Sequence, residues 1–150
     1  MRGRRECRRF CFDALFDVDN MAYMPYNKER RYMSRFTVIA YEKEDGESPA
    51  EDFINNLDIK MRAKTYGLLA ILQDKGNMLK EPYSKHLDDG IFELRCKVGN
   101  NIARVLYFFC QDGQIVLTNG FVKKTQRTPT KEIRLAKERR ADYLERKCRG

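Results

Sequence analysis

Apolar and polar positions set a clear rhythm between Ile91 and Lys124 (IFELRCKVGNNIARVLYFFCQDGQIVLTNGFVKK). Phe92, Leu94 and Cys96 alternate with Glu93, Arg95 and Lys97, the period of a half-buried strand. Gly99-Asn100-Asn101 follows, and because Gly and Asn tolerate positive φ the chain is expected to turn there. Ile102 to Phe109 (IARVLYFF) predicts a second strand, apolar enough to be buried on both faces. Gln111-Asp112-Gly113 predicts another turn, and Ile115 to Phe121 a third strand. Links this short imply antiparallel neighbours, since a parallel crossover takes a dozen or more residues.

Upstream, Phe36 to Tyr41 (FTVIAY) is β-branched and aromatic and predicts a first strand. After an acidic turn around Gly46, Ser48-Pro49 reads as an N-cap followed by proline at the first helical position. That helix places Phe53, Ile54 and Leu57 on one side. A second helix from about Ile59 to Lys75, with Met61, Leu68, Leu69 and Leu72 on its apolar face, is expected to end near Gly76. Asn77 to Gly90 reads as a connector carrying Pro82, Tyr83, Lys85 and the only histidine, His86. Thr128-Pro129 opens a last helix by the same cap logic, with a narrow apolar stripe of Ile133, Ala136, Tyr143 and Leu144 on a charged background. The order β-α-α-β-β-β-α predicts an α+β fold with helices segregated to one part of a small sheet.

Residues 1–32 lack any sustained period, so a boundary is expected there: an N-terminal extension over 1–33 and a domain over 34–150. Lys28 to Met33 is encodable as a purine-rich ribosome-binding run followed by a start codon, which makes Met33 the expected natural first residue. A chain starting at Met33 is accordingly expected to keep its activity and its stability. The longest apolar runs fall far short of the roughly 18 residues needed to span a bilayer. Five cysteines without paired metal spacing suggest reduced thiols in a cytoplasmic protein, with no metal and no cofactor expected.

The net charge of +8 is unevenly placed. Residues 1–32 carry 8 basic and 5 acidic side chains, residues 33–122 carry 11 and 13, and residues 123–150 carry 11 and 4. The last segment therefore holds most of the excess, which suits an anionic partner such as RNA, DNA or an acidic protein. Arg104 is unexpected inside so apolar a strand, because a buried arginine needs an anion. Its expected strand neighbours Leu94, Cys96 and Val116 supply no carboxylate, so a phosphate is its expected counter-ion. With Arg95, Lys123 and Lys124 it would form a cationic cluster on a rigid sheet. Arg95 has a second reading as a stabilising partner of Glu93 or Asp88.

Three pieces of the chain carry a family likeness: LDDGIFELR (Leu87 to Arg95), NIARVLY (Asn101 to Tyr107) and GFVKKTQRTPTKEIRLAKERR (Gly120 to Arg140). Together with the element order they resemble the RelE/ParE superfamily of toxins, closest to its HigB-like, phage-derived branch. The resemblance spans roughly Ser34 to Tyr143, and its last piece is the most specific. It implies the toxin of a type II toxin–antitoxin pair that enters the ribosomal A site and cuts mRNA without a metal. Such cleavage lets the 2′-hydroxyl attack the adjacent phosphorus. It needs a base, an acid for the leaving 5′-oxygen, and cations for the crowded phosphorane. Arg95, Arg104, Lys123 and Lys124 match the family's basic positions, and His86 has the pKa for acid–base work. Lys85, Lys97, Arg127 and Lys131 are expected RNA-binding cations around them. The tyrosine that best-described relatives carry after the last strand has no counterpart here, since Tyr143 lies deep in the final helix.

The implied partners are the ribosome, mRNA and a cognate helix-turn-helix antitoxin, which would neutralise the cationic site or clamp the last helix. Two other functions compete. One is a ParE-type poison of DNA gyrase, which shares the fold without being a nuclease. The other is a non-catalytic nucleic-acid-binding module that uses the basic last helix.

Overall fold

A computed structural model describes residues 36–123 and 127–150. The expected boundary at 33/34, and the extension before it, lie outside these residues. The elements run β1 (Thr37–Ala40), α1 (Pro49–Asn55), α2 (Ile59–Lys75), a 3-10 turn (Gly76–Met78), β2 (Ser84–Asp88), β3 (Ile91–Val98), β4 (Asn101–Phe109), β5 (Gln114–Val122) and α3 (Thr130–Arg149). The five strands form one sheet in the order β1-β5-β4-β3-β2. β1 runs parallel to β5, and every other pair is antiparallel. The fold is α+β, as the element order predicts.

Two differences from the expected arrangement matter for the site. First, Ser84–Asp88 is a strand, where a connector was expected. It is an edge strand whose one fully buried residue is Ser84, so it shows almost no hydrophobic pattern. Asp89 and Gly90, at φ +47° and +75°, make the two-residue turn that folds it onto β3. Second, the helices are split between the two faces of the sheet. α1 and α2 cover one face through Ile54, Leu68, Leu69 and Leu72, packed on Leu94, Val105, Tyr107 and Leu117. α3 covers the other face through Ala136 and Tyr143, against Ile39, Ile91, Leu106, Phe108 and Val116. The reason is β4 itself: its run of buried residues is apolar on both sides, so both sides must be covered.

Neither expected cap hydroxyl caps its helix. The Ser48 Oγ donates instead to the Tyr41 carbonyl, which ties the start of α1 to the end of β1. The Thr128 Oγ is also engaged elsewhere, and Pro129 takes the position before α3.

α3 is pinned to the sheet by a polar clamp. The Tyr41 hydroxyl donates to Asp142 Oδ2 at 2.6 Å, and Arg146 donates to the same oxygen at 2.6 Å. The Arg146 guanidinium lies 5.3 Å from the centre of the Tyr41 ring, within cation–π range. The hydrogen bond from Tyr41, then the charge of Arg146, holds the Asp142 carboxyl below the usual carboxylate range against the opposing effect of burial. A depressed folded-state pKa contributes stability above the unfolded value of about 3.9 and loses it as pH falls through the folded value. Tyr41→Phe is therefore expected to cost about 1–2 kcal/mol near neutrality. That cost should shrink in urea titrations as pH falls through the depressed folded-state value of Asp142 and its carboxylate is protonated.

α1 packs closely on β5 at Gly120, where an added Cβ would collide with the Phe53 ring. Gly120→Ala is expected to cost about 1–3 kcal/mol by overpacking, measurable in the same titration.

Candidate active site

The sheet face beside the start of α3 carries the cations. Paired residues on neighbouring strands point to the same face, and the register pairs Lys85 with Glu93, Arg95 with Arg104, and Arg104 with Phe121. Lys123 enters through a β-bulge. The register of β4 on β5 slips between Leu106 and Tyr107, so that Leu106 faces Asn119 while Tyr107 faces Leu117. The one extra residue, Thr118, turns Asn119, Phe121 and Lys123 onto the α3 face. Without the slip, Lys123 would fall on the α1/α2 face, away from Arg104. The Lys123 amide donates to the Ile102 carbonyl at 2.8 Å, which extends the pairing to the strand's end.

At the centre of the cluster is a carboxylate. Glu93 is fully buried at 0% exposure, and Arg104 is only 4% exposed. The Glu93 Oε1 atom accepts from the Arg104 Nη1 and, at 2.9 Å, from the Arg95 Nε. Its other oxygen, Oε2, accepts from the Thr128 hydroxyl. The expectation that Arg104 has no carboxylate within reach is thereby corrected. β3 alternation puts Glu93 on the same face as Arg95, one strand away from Arg104, and the buried guanidinium takes it. Arg104 Nε is buried without a hydrogen-bond partner among the described residues. Arg95 is the more open of the two arginines, with 26% of its side chain exposed, and its Nη1 also lies 3.9 Å from the exposed carboxylate of Glu81.

The electrostatics match this crowding. Burial pulls the Arg104 guanidinium below its ordinary range, and Arg95 adds to that while Glu93 opposes it. Burial lowers the Lys123 ammonium as well, helped by Arg104, Arg95 and Lys85 and opposed by Glu93. Among the described residues, four cations, Lys85, Arg95, Arg104 and Lys123, gather around one buried carboxylate, Glu93, with the exposed Glu81 at the edge, which leaves the patch net positive.

The other expected site residues are placed differently. His86 pairs with Phe92 and packs edge-on against its ring at 5.0 Å, on the face opposite Glu93 and Arg104. Its Nε2 accepts the Gly90 amide at 3.1 Å, which serves the Asp89-Gly90 turn. A cavity of about 510 Å³ beside it, lined by Leu79, Lys80, His86 and Phe92 among others, shares only Lys85 with the cationic cluster. Lys124 lies outside the described residues. Lys97 is exposed two residues beyond Arg95 on the same strand face, Arg127 is exposed next to Thr128, and Lys131 is exposed in the first turn of α3.

The expected pairing of Arg95 with Glu93 is present, whereas the bond of Glu93 to Arg104 and the part played by Thr128 were not expected. Among the described residues no group of three or more His, Cys, Asp or Glu side chains is placed to hold a metal ion, and no helix is long and apolar enough to cross a membrane.

A family model described as phage-derived protein Gp49-like (DUF891) matches residues 52–141, more than half of the chain. The matched span includes β2 to β5, the cationic cluster and the first half of α3. No match was found among curated proteins.

Proposed function

This chain belongs to the Gp49-like family of phage-derived proteins, which lies within the RelE/HigB-like toxins, and from that premise we propose that it arrests growth by cutting mRNA on the ribosome. The observation that carries the reading is the convergence of Arg95, Arg104 and Lys123 on one face of a rigid sheet, where cations outnumber the buried carboxylate among the described residues. A fixed cationic site of this kind fits a phosphate whose charge grows during reaction.

In the reaction the 2′-hydroxyl oxygen forms a bond to the adjacent phosphorus, its proton passing to solvent water, and the bond to the 5′-oxygen breaks. The products are a 2′,3′-cyclic phosphate and a 5′-hydroxyl. Arg95 presents its outer edge to the non-bridging oxygens, since its Nε is committed to Glu93. Arg104 supplies charge from beneath it. Lys123, held below its ordinary pKa by burial and its cationic neighbours, is the proton donor to the leaving 5′-oxygen. His86 faces the other side of the sheet and takes no step. Lys85 at the edge of the cluster, with Lys97, Arg127 and Lys131, acts as a backbone-binding cation, and their contribution is the salt-dependent part of affinity.

The partner set follows from the same reading: ribosome, mRNA and a cognate helix-turn-helix antitoxin. A gyrase poison with this fold needs no converging phosphate ligands. The experiment is induction in cells with separate pulse labels for protein and DNA. Protein synthesis should stop first. Replication stopping first would instead support the gyrase reading.

A further inference from the structure

We infer that Glu93 is a positioning residue, one that aims the arginines of the site and sets its net charge while never touching RNA. The inference rests on the nuclease reading above and deepens it. Glu93 is wholly buried, so a 2′-hydroxyl cannot reach it. Both of its oxygens are occupied, one by Arg95 and Arg104 together and the other by Thr128. Those three donors come from β3, β4 and the segment leading into α3. One carboxylate therefore locks the two guanidiniums to each other and to the chain that carries Arg127 and Lys131.

The arrangement has a consequence for each guanidinium. An arginine side chain has five N–H donors, and a phosphate is gripped by two of them in one plane. Binding the Arg95 Nε from behind fixes that plane and leaves the terminal nitrogens facing outward. Without Glu93, two guanidiniums would repel each other across the Arg95–Arg104 pair, and each would swing away from the productive geometry. The site would then be more positive, hence stickier for RNA, yet worse at the chemistry. A misplacement of about 1 Å costs on the order of a hundredfold in rate.

The test separates affinity from turnover. Dissociation constants are measured on an RNA carrying a 2′-deoxy nucleotide at the cleavage site, and kcat on the unmodified RNA, both on ribosomes. Glu93→Gln should bind tighter, with a salt dependence steeper by about one counterion. Its kcat should fall about ten- to a hundredfold. Glu93→Asp keeps the charge but shortens the reach, so its affinity should stay near that of the parent protein while its kcat falls. In an Arg95→Ala background Glu93→Gln should cost less than about threefold, because its effect runs largely through Arg95.

Parallel loss of affinity, kcat and melting temperature in both variants would reduce Glu93 to a structural residue and overturn the inference. Undiminished turnover in Glu93→Asp, or a full additional loss in the Arg95→Ala background, would also overturn it. A parent protein that binds but never cuts would end the nuclease reading itself, and that is seen before any variant is compared.

Discussion

Arg104→Ala is expected to lose both its fold stability and its activity, and the stability loss is the larger surprise. The side chain is buried and ion-paired to a carboxylate that is itself wholly buried. Removing one partner of such a pair strands the other charge and typically costs about 3–5 kcal/mol. Arg95 and Thr128 still donate to Glu93, which places the expected value at the lower end of that range. Urea titration reads it directly. Arg104→Lys keeps a charge but puts it on a more strongly hydrated head, so it should recover part of the stability and part of the activity. An Arg104→Ala protein as stable as its parent would mean that the buried pair is not formed. The position of Arg104 in the chain had suggested a side chain devoted to phosphate alone. Its burial against Glu93 makes it a structural cation as well as an electrostatic one.

Arg95→Ala is expected to do the opposite: to stay folded and stop cutting. A quarter of its side chain is exposed, and its loss leaves Glu93 with two donors. The melting temperature should move by only a few degrees. Turnover should fall roughly a hundred- to a thousandfold, the usual effect of removing one preorganised donor from a developing charge. Ribosome-dependent cleavage measured beside a thermal melt distinguishes the two arginines. Normal cutting by Arg95→Ala would take the outer guanidinium out of the mechanism.

The comparison of these two residues shows where a one-dimensional reading stops. A period of two in β3, continuous apolar runs in β4 and β5, and apolar stripes with helix-cap signals in α1 to α3 made these elements legible. β2 escaped because SKHLD buries little more than Ser84, although Asp89-Gly90 was a hairpin signal in plain view. Glu93 was expected only as a partner of Arg95, and its bond to Arg104 escaped for a different reason. A glutamate alternating with Phe92 and Leu94 looks like a residue of the solvated face, and only strand order places Arg104 beside it. Thr128 looked like a helix cap, and its true partner is 35 residues away. The β-bulge at Thr118, which aims Lys123 at the site, left no mark in the pattern at all.

The central claim is that this cationic cluster drives attack by a 2′-hydroxyl on its own phosphate. The most direct measurement is the chemistry of the new 3′ ends, using the purified protein, programmed ribosomes and two mRNAs that differ by a single 2′-deoxy nucleotide at the cleavage site. The account predicts 2′,3′-cyclic phosphate ends from the first mRNA and an intact second mRNA. Cleavage of the 2′-deoxy mRNA at the same place, or 3′ ends that never pass through a cyclic phosphate, would contradict it.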